Sequence, residues 1–327
     1  MTDETGRAPL EVVEYTDPLC PWAWGSEPVF RGLRAALAGR VHWRRVYCIL
    51  FDHDDDPAPD AAAETAWYSR YVENISGHTH APRAFRLSRV AASSWPASLV
   101  AKAAELQGPD VAERVLRRLR ESVFVLGEPA DTPALALSAV RGMPGLDHER
   151  LTADAASAAV LDRVRADHAE ARRPVREVLS VPDGSSPHPG AVKETPDGGY
   201  RYALPTLLVR SPAGVRPVPG WRPYEEYTSA VDALEPGLQA APVRLDPAEA
   251  LARYRSLTEP ERRLLTDGPW PPAGAVRVET GNGPVWLHSE EAETHPAVRR
   301  SSPAVLRQGS DQHSEAVPPN ETPFDVH

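Results

Sequence analysis

A strand–helix–strand pattern near the start of the chain is the feature that most restricts the fold. Residues 11–16 are β-branched and aromatic, residues 22–37 place apolar side chains at helical spacing, and residues 41–51 predict a second strand. A connection of this length between two strands favours a right-handed parallel βαβ unit. The sequence therefore predicts an α/β fold with a parallel strand pair.

A long helical block follows this unit. Between residues 60 and 180, Ala, Leu and Arg recur at helical period. Helices are predicted near 60–75, 96–107, 109–124, 131–141, 147–170 and 172–179. Strand signals return at 200–210 and 215–218, and a helix is predicted over 224–234. Because proline cannot donate a ladder hydrogen bond, Pro205 must lie at an edge, at a strand start or at a break.

These patterns predict the domain organisation. An α/β core comprises residues 9–57 and 195–240, and a helical subdomain at 60–180 is inserted into it. Residues 243–300 form a small α+β module of two helices and a hairpin, the hairpin turning at Gly281-Asn282-Gly283. Residues 301–327 are polar and contain Pro and Ser, so this tail is predicted to be disordered.

Composition excludes several classes of function. A formal net charge of -10 argues against a nucleic-acid or anionic-membrane surface. Two cysteines cannot form a disulfide scaffold or a four-cysteine zinc site. No apolar run approaches about 20 residues and the N-terminus lacks signal-peptide character, so a cytoplasmic location is expected. The arginines between Arg114 and Arg120 are predicted to form a solvated helix face.

Cys20 is the strongest candidate for a functional residue. It stands in Asp17-Pro-Leu-Cys-Pro-Trp-Ala-Trp24, where the first strand ends and the helix begins. Unpaired amides and the dipole at a helix N-terminus stabilise an anion, so we expect a lowered thiol pKa there. Pro21 suits the first helical position. A buried cysteine that only packs is the alternative.

The order of these motifs resembles the DsbA-like branch of the thioredoxin superfamily. The matching features are the strand, the Cys-Pro-Trp-x motif, the long helical insertion and a later strand with Leu204-Pro205-Thr206, together covering about residues 9–240. The branch includes disulfide oxidases, FrnE-like oxidoreductases, mycothiol-dependent reductases, hydroxychromene-carboxylate isomerases and kappa glutathione transferases. The resemblance implies a thioredoxin-like fold with a large inserted helical subdomain.

The resemblance also implies roles for individual residues. Cys20 matches the attacking cysteine, Glu14 matches a strand glutamate that assists proton transfer, and Pro205 matches a cis-proline facing the active-site sulfur. Contacts to substrate are implied for Pro21, Trp22, Leu204, Thr206 and Trp95. For Trp95, packing between the core and the insertion is an equal alternative.

Ala23 is where the sequence departs from this pattern, because the second motif cysteine belongs at that position. A dithiol cycle needs a neighbouring thiol to release the mixed disulfide. Three hypotheses follow: a single-cysteine enzyme resolved by a low-molecular-weight thiol such as mycothiol or glutathione, use of Cys48 as a remote resolving thiol, or a redox-inactive binding protein. For Cys48, a packed apolar role is the favoured alternative.

The function expected from the sequence is thiol–disulfide exchange through Cys20 alone. Its partners would be a small thiol or disulfide, or a client protein, without nucleic acid or membrane and without a bound cofactor. The alternatives are an adaptor protein, or an isomerase or transferase acting on a thiol conjugate. Acidic and histidine-bearing segments at 52–56 and 77–80 raise a metal hypothesis, but nothing in the sequence fixes three or four ligands together, so no metal is expected.

Overall fold

The central sheet of the protein contains four strands. The computed structural model describes residues 10–52, 59–181, 186–188, 190–195, 197–238 and 240–301. Strand β1 (Glu11–Thr16) pairs in parallel with β2 (His42–Tyr47). The other edge of β1 pairs antiparallel with a strand from far along the chain. The sheet order is β2-β1-β5-β6, with β5 at Thr206–Ser211 and β6 at Gly214–Pro219. The predicted α/β class and parallel βαβ unit are confirmed.

Helix α1 (Pro21–Ala36) makes the crossover between β1 and β2. Phe30 and Leu33 on this helix pack with Val12 of β1 and with Leu207 and Tyr227 in one apolar cluster. Neighbouring residues of β1, Val13 and Tyr15, belong to a second cluster that contains Cys20. Since side chains alternate along a strand, β1 connects the two layers of the core.

The segment between the two parts of the sheet is helical, as predicted. Its helices are α2 (Ala61–Thr79), α3 (Trp95–Ala104), α4 (Pro109–Phe124), α5 (Pro133–Ala139), α6 (His148–Ala155), α7 (Ala158–Ala171) and α8 (Arg176–Leu179). The single helix expected over 147–170 is instead two helices. Ser157 accepts a hydrogen bond from the Val160 amide and so caps a new helix start, α7.

The strand predicted over 200–210 is also divided. Tyr200–Tyr202 forms β4, which pairs with β3 (Val192–Glu194) in a separate two-stranded sheet. The central strand β5 begins at Thr206, directly after Pro205. Proline therefore occupies the strand start, where its missing amide removes no ladder hydrogen bond. Helix α9 (Tyr224–Leu234) lies where it was predicted.

The C-terminal segment has more structure than predicted. It contains the two predicted helices and the hairpin strands: α10 (Pro247–Tyr254), α11 (Glu259–Leu265), β8 (Val276–Val278) and β9 (Val285–Leu287). A further strand, β7 (Ser256–Thr258), pairs with β9 and completes a three-stranded sheet of order β7-β9-β8. Two short helices follow, α12 (Ser289–Thr294) and α13 (Pro296–Ser301). The predicted tail beyond 301 lies outside the described residues, and the predicted domain boundaries stay a prediction.

The prediction of a solvated arginine face on α4 is wrong. Arg117, Arg118 and Arg120 expose 3%, 2% and 1% of their surface. Arg117 makes a two-pronged contact with Glu261 of α11, at 2.9 and 3.0 Å, and Arg118 donates to Glu291 of α12 at 2.7 Å. The reason is tertiary, since these cations are buried against carboxylates far away in the chain: Glu261 for Arg117, Glu291 for Arg118 and Glu27 for Arg120.

Glu261 shows how this buried network holds the C-terminal segment. It is fully buried and also accepts from Arg31 of α1 at 3.1 Å. Burial acts to raise the pKa of Glu261, but Arg117 and Arg31, with the Thr258 amide and hydroxyl, bring it below its usual value. This carboxylate therefore stays ionised and joins α1, α4 and α11.

Replacing Glu261 by glutamine should destabilise the protein by about 2–3 kcal/mol. The substitution removes a buried anion that Arg117 and Arg31 share, although Arg117 keeps Glu121 and Arg31 keeps Glu27. It also keeps an amide able to serve the α11 cap. The matched control is Glu290→Gln, which removes a 58%-exposed partner of Arg255 and should cost no more than about 1 kcal/mol. Urea unfolding of both variants makes the comparison. Equal midpoints would contradict the role given to the buried network.

Candidate functional site

Cys20 lies where β1 has ended and α1 begins, as the sequence predicts. It is the N-cap residue of α1, followed by proline at the first helical position. Its Sγ lies 3.8 Å from the carbonyl oxygen of Leu204, and only 3% of the residue is exposed. The chain thus folds to bring residues 20 and 204 together at the end of the sheet.

The thiol of Cys20 is not activated. Burial raises its pKa to about 11, and the nearby Asp17 carboxylate acts in the same direction. The amides of Ala23 and Trp22 act to lower it, which is the effect expected from the helix N-terminus, but burial is the larger influence. The expectation of a lowered pKa is therefore wrong, and at neutral pH the group is a thiol.

Ala23 lies in the buried cluster that contains Cys20. It is fully buried and packs in one cluster with Cys20 and Trp22. A methyl group here supplies neither a second thiol nor a polar contact. The site consequently has no resolving group within the motif.

Asp17 is a site residue that the sequence analysis missed. Its carboxylate is fully buried and accepts hydrogen bonds from the Leu19 and Leu50 amides, both at 2.7 Å, and from the Ser94 hydroxyl at 3.0 Å. Burial raises the pKa of Asp17 despite these bonds. An acidic residue just after a buried strand was the available signal.

Glu14 has an environment that differs from the predicted one. Its carboxylate accepts from Arg34 and Arg45, both at 3.1 Å, and from the Trp43 indole at 3.0 Å. Although burial acts to raise the pKa of Glu14, Arg45, Arg34 and Arg120 lower it below its ordinary value. Glu14 is held as an anion among arginines, and the proton-transfer role implied by the resemblance stays a prediction.

The residue before Pro205 lies opposite Cys20, since the Leu204 carbonyl oxygen faces its sulfur. The Leu204–Pro205 peptide bond is cis. Thr206 is fully buried and donates from its hydroxyl to the Ala203 carbonyl at 2.6 Å, which leaves it turned toward its own chain. Of the residues predicted to contact substrate here, Leu204 is the one that faces the sulfur.

His188 is the second residue that the sequence analysis missed. Its Nε2 lies 2.8 Å from the same Leu204 carbonyl oxygen that Cys20 approaches. Its ring packs edge to face with that of Trp22, and the two ring centroids are 5.1 Å apart. Because the carbonyl can only accept, Nε2 carries the proton. Burial lowers the pKa of His188 to about 4, so the ring is neutral at physiological pH. A lone histidine in a Pro/Gly-rich segment gave no usable signal.

Aromatic side chains of α2 cover the site from the side of the helical block. The indole of Trp22 donates to the Tyr71 hydroxyl at 3.0 Å. Trp67 stacks on Tyr71 at 5.7 Å and is 57% exposed. Tyr68 is buried, and its hydroxyl has no hydrogen-bond partner among the residues described. Three aromatic residues at one helical face, 67, 68 and 71, were the signal that could have revealed this cover.

Trp95 contacts a different part of the molecule. Its indole donates to Asp52 at 3.0 Å and its ring lies 5.4 Å from that of His168 on α7. Asp52 also contacts His168 at 3.0 Å. These contacts match the packing alternative, in which Trp95 joins the core to the insertion.

Cys48 follows β2 directly and is fully buried. Its amide donates to Thr16, and its Sγ lies 3.4 Å from the Val46 carbonyl oxygen. Burial raises its pKa well above the ordinary value, and both cysteines are free thiols. A resolving role for Cys48 stays a prediction.

The metal hypothesis gains no support from the part of the chain described. His78 and His80 are exposed, and His78 lies against Trp22 at 6.5 Å. Residues 53–56 of the acidic segment lie outside the described residues. Within the described ranges, no group of three or more His, Cys, Asp or Glu side chains is placed to hold an ion.

A family model described as thioredoxin matches residues 14–174. Among curated proteins, the chain is 31% identical over 164 residues to a ClpXP adapter protein SpxH of Shouchella clausii, covering 49% of this chain and 53% of the relative. It is 30% identical over 122 residues to the protein of the same name from Bacillus subtilis, covering 36% and 40%. The chain thus spans about half the length of the first of these relatives, and less of the second.

One solved structure supports the fold. A putative protein disulfide isomerase from Nitrosomonas europaea superposes with a TM-score of 0.53 at 16% identity, covering 69% of this chain and 97% of that one. A probable DsbA oxidoreductase from Streptomyces coelicolor has a TM-score of 0.47 at 20% identity, covering 73% and 94%. The predicted thioredoxin-like fold is confirmed. Among the helices described, none is long and apolar enough to cross a membrane.

Alkylation of Cys20 by iodoacetamide should be slow at pH 7 and should rise through pH 10 without reaching a plateau, because a pKa of about 11 leaves about one thiolate in ten thousand at neutrality. Peptide mass spectrometry follows residues 20 and 48 separately in the native protein. The unfolded protein serves as the control, and the alkylation rate of its two cysteines should reach half of its maximum near pH ~8.5. A plateau for Cys20 below pH 8 would refute the buried-thiol description.

His188 should make stability fall as the pH drops from about 6.5 toward 4. Between these two pH values the histidine of the unfolded chain binds a proton and that of the folded chain does not. The free energy of unfolding should therefore fall by up to about 3 kcal/mol as the pH drops through this window. His188→Gln keeps a donor for Leu204 but cannot titrate. Urea unfolding at pH 7 and pH 4.5 should therefore show a smaller pH difference for the variant, and equal differences would contradict this assignment.

Proposed function

We propose that this chain is a thioredoxin-like adaptor that binds a client protein and brings it to a ClpXP-type protease, without redox chemistry at Cys20. The observation that carries the proposal is the state of the thiol. Cys20 is 3% exposed, has a pKa raised to about 11 and faces Ala23 where a resolving cysteine would be needed. A thiol of this kind is a poor nucleophile at neutral pH.

The names of the relatives support the same proposal. Two proteins that match part of the chain at 30–31% identity are ClpXP adapter proteins. The matched length covers about half of one relative and 40% of the other, so transfer of the adaptor role to this chain belongs to the proposal. The cytoplasmic location expected from the sequence is part of it, since thiols are kept reduced there.

Two exposed aromatic side chains support a client surface on and beside α2. Trp67 is 57% exposed and Phe85, in the loop that follows α2, is 73% exposed. Phe85 also lies at a small cleft with Arg70 and Glu73 of α2. Large aromatic side chains commonly anchor protein interfaces. We infer that the client contacts this surface outside the closed Cys20 site.

Complementation in a strain that lacks the protein tests the proposal. Protein half-lives are measured with ClpP active and inactive. Proteins stabilised by the deletion should be degraded again with the wild type and with Cys20→Ser, but not with the double variant Trp67→Ala, Phe85→Ala. The matched control is Leu179→Ala, which removes another apolar side chain that is 54% exposed. If no ClpP-dependent half-life changes in the deletion strain, the adaptor proposal fails.

A second candidate function, single-cysteine thiol–disulfide exchange, is favoured by one observation. The amides of Trp22 and Ala23 act to stabilise a thiolate at Cys20, and the Leu204 carbonyl faces the sulfur. In this hypothesis the Cys20 thiolate attacks a disulfide, forms a mixed disulfide and releases one thiolate. The thiolate of a low-molecular-weight thiol then attacks the substrate sulfur of the mixed disulfide. A new disulfide forms between these two sulfurs, and Cys20 leaves as a thiolate that takes up a proton.

Cys20→Ser separates the two candidates. Exchange chemistry predicts that this variant loses both complementation and any insulin reduction, and that the wild type forms a mixed disulfide with glutathione or mycothiol detectable by mass. The adaptor proposal predicts full complementation and no mixed disulfide under the same conditions. Urea unfolding confirms that the variant is folded before either result is interpreted.

A further inference from the structure

The cleft beside Phe85 has an apolar lining. Its volume is about 200 Å³. Val72 of α2 and Ala84 and Leu87 of the loop that follows this helix line it, and all three are buried. Phe85 belongs to the same lining and is 73% exposed. The cleft therefore offers apolar contact to a large side chain that comes from outside the molecule.

The charged residues of this cleft are basic on balance. Among the residues described, Glu73 is the carboxylate that lines it, and Arg83 of the same lining already donates to Glu73 at 2.5 Å. Arg70 and Arg86 also line the cleft. Both are exposed, and neither makes an ion pair or a side-chain hydrogen bond in the described ranges. Unlike the buried arginines of α4, these two guanidiniums are accessible and without a counter-charge.

The loop that carries Phe85 is held on both sides of it. Before Phe85, the Arg83 carbonyl accepts from the amide of Gly281 in the C-terminal hairpin at 2.7 Å. After it, the Ser88 amide donates to the Gly127 carbonyl at 2.8 Å. The exposure of Phe85 is therefore a property of an anchored loop. An anchored backbone has less freedom to lose when a partner binds, which favours affinity.

Trp67 extends this surface along α2. Trp67 and Arg70 are three residues apart and so lie on the same face of the helix. Trp67 is 57% exposed, and its ring stacks on that of Tyr71 with the centroids 5.7 Å apart. Arg70 in turn lines the cleft with Phe85. Two aromatic anchors and two unpaired arginines thus form one surface, and these residue types are enriched at protein interfaces.

From this arrangement we propose that the surface binds a client segment in which an apolar side chain is flanked by aspartate or glutamate. The inference rests on the proposed adaptor function and adds the chemical class of the client sequence. The apolar side chain enters the cleft, and the flanking carboxylates pair with Arg70 and Arg86. A net charge of -10 on the whole chain disfavours a nucleic acid or an anionic membrane, whereas a short acidic segment meets mainly the local charge.

Fluorescence anisotropy of labelled peptides with the full chain tests the proposal. The probe is a short peptide with a central phenylalanine and glutamates on both sides. One comparison peptide has lysine in place of each glutamate, and another has alanine in place of phenylalanine. The acidic phenylalanine peptide should bind saturably and more tightly than both, and added salt should weaken its binding because the charges involved are exposed.

Arg70→Gln and Arg86→Gln should each weaken binding of this peptide about twofold to fivefold, because each removes one exposed ion pair. The double variant should lose about tenfold and should show less dependence on salt. The matched control is Arg163→Gln, which removes another exposed arginine without an ion pair in the described ranges, on α7 and outside the cleft. This control should bind like the wild type.

The proposal is overturned if the three peptides bind equally, if the acidic peptide does not bind, or if the double variant binds like the wild type. Two further results would assign the surface to another occupant and so overturn it. One is tighter binding, through the same two arginines, to vesicles of phosphatidylglycerol and phosphatidylcholine in equal parts. The other is a dimer in sedimentation velocity that the double variant dissociates. Peptide binding needs no protease, so its failure would leave ClpP-dependent half-lives as a separate test of the adaptor proposal.

Discussion

Buried pairs of arginine and glutamate hold α4 at the centre of the molecule, and much of the remaining architecture depends on them. Arg117 reaches Glu261 of the C-terminal segment, and Arg120 reaches Glu27 of α1. Isolated charges of this kind would be costly to bury, and removing one partner leaves the other uncompensated. The network therefore requires α1, α4 and α11 to be present together, which makes the C-terminal segment a structural part of the protein.

The same network extends to the region of Cys20. Arg120 donates to the Thr16 hydroxyl at 2.8 Å, at the end of β1 and next to Asp17. On the other side, Asn282 of the C-terminal hairpin donates to Ser76 and Ala81 near the end of α2, the helix whose aromatic residues cover the site. Strand, helix cover and C-terminal segment are thus fixed around an enclosed thiol, and the enclosure raises the pKa of Cys20.

An enclosed thiol changes what a thioredoxin-like fold can offer. In this chain the cysteine, the helix N-terminus and the Leu204 carbonyl keep the arrangement expected for thiol exchange, while Ala23 supplies no second thiol and burial raises the pKa of Cys20. What remains accessible is surface, including the exposed Trp67 and Phe85. The proposed adaptor role uses this surface and needs no reactive thiol.

The local elements and their order could be predicted from the sequence alone. The βαβ unit, helix α4, helix α9 and the position of Cys20 at a helix start follow from periodicity and from proline placement, which act over a few residues. The remaining features arise from packing between distant segments. The burial of the α4 arginines, the ionised state of Glu14, the meeting of His188 with Leu204 and the raised pKa of Cys20 depend on groups far apart in the chain. Charge and burial are properties of the packed environment, and no local pattern encodes which distant carboxylate or aromatic ring will arrive there.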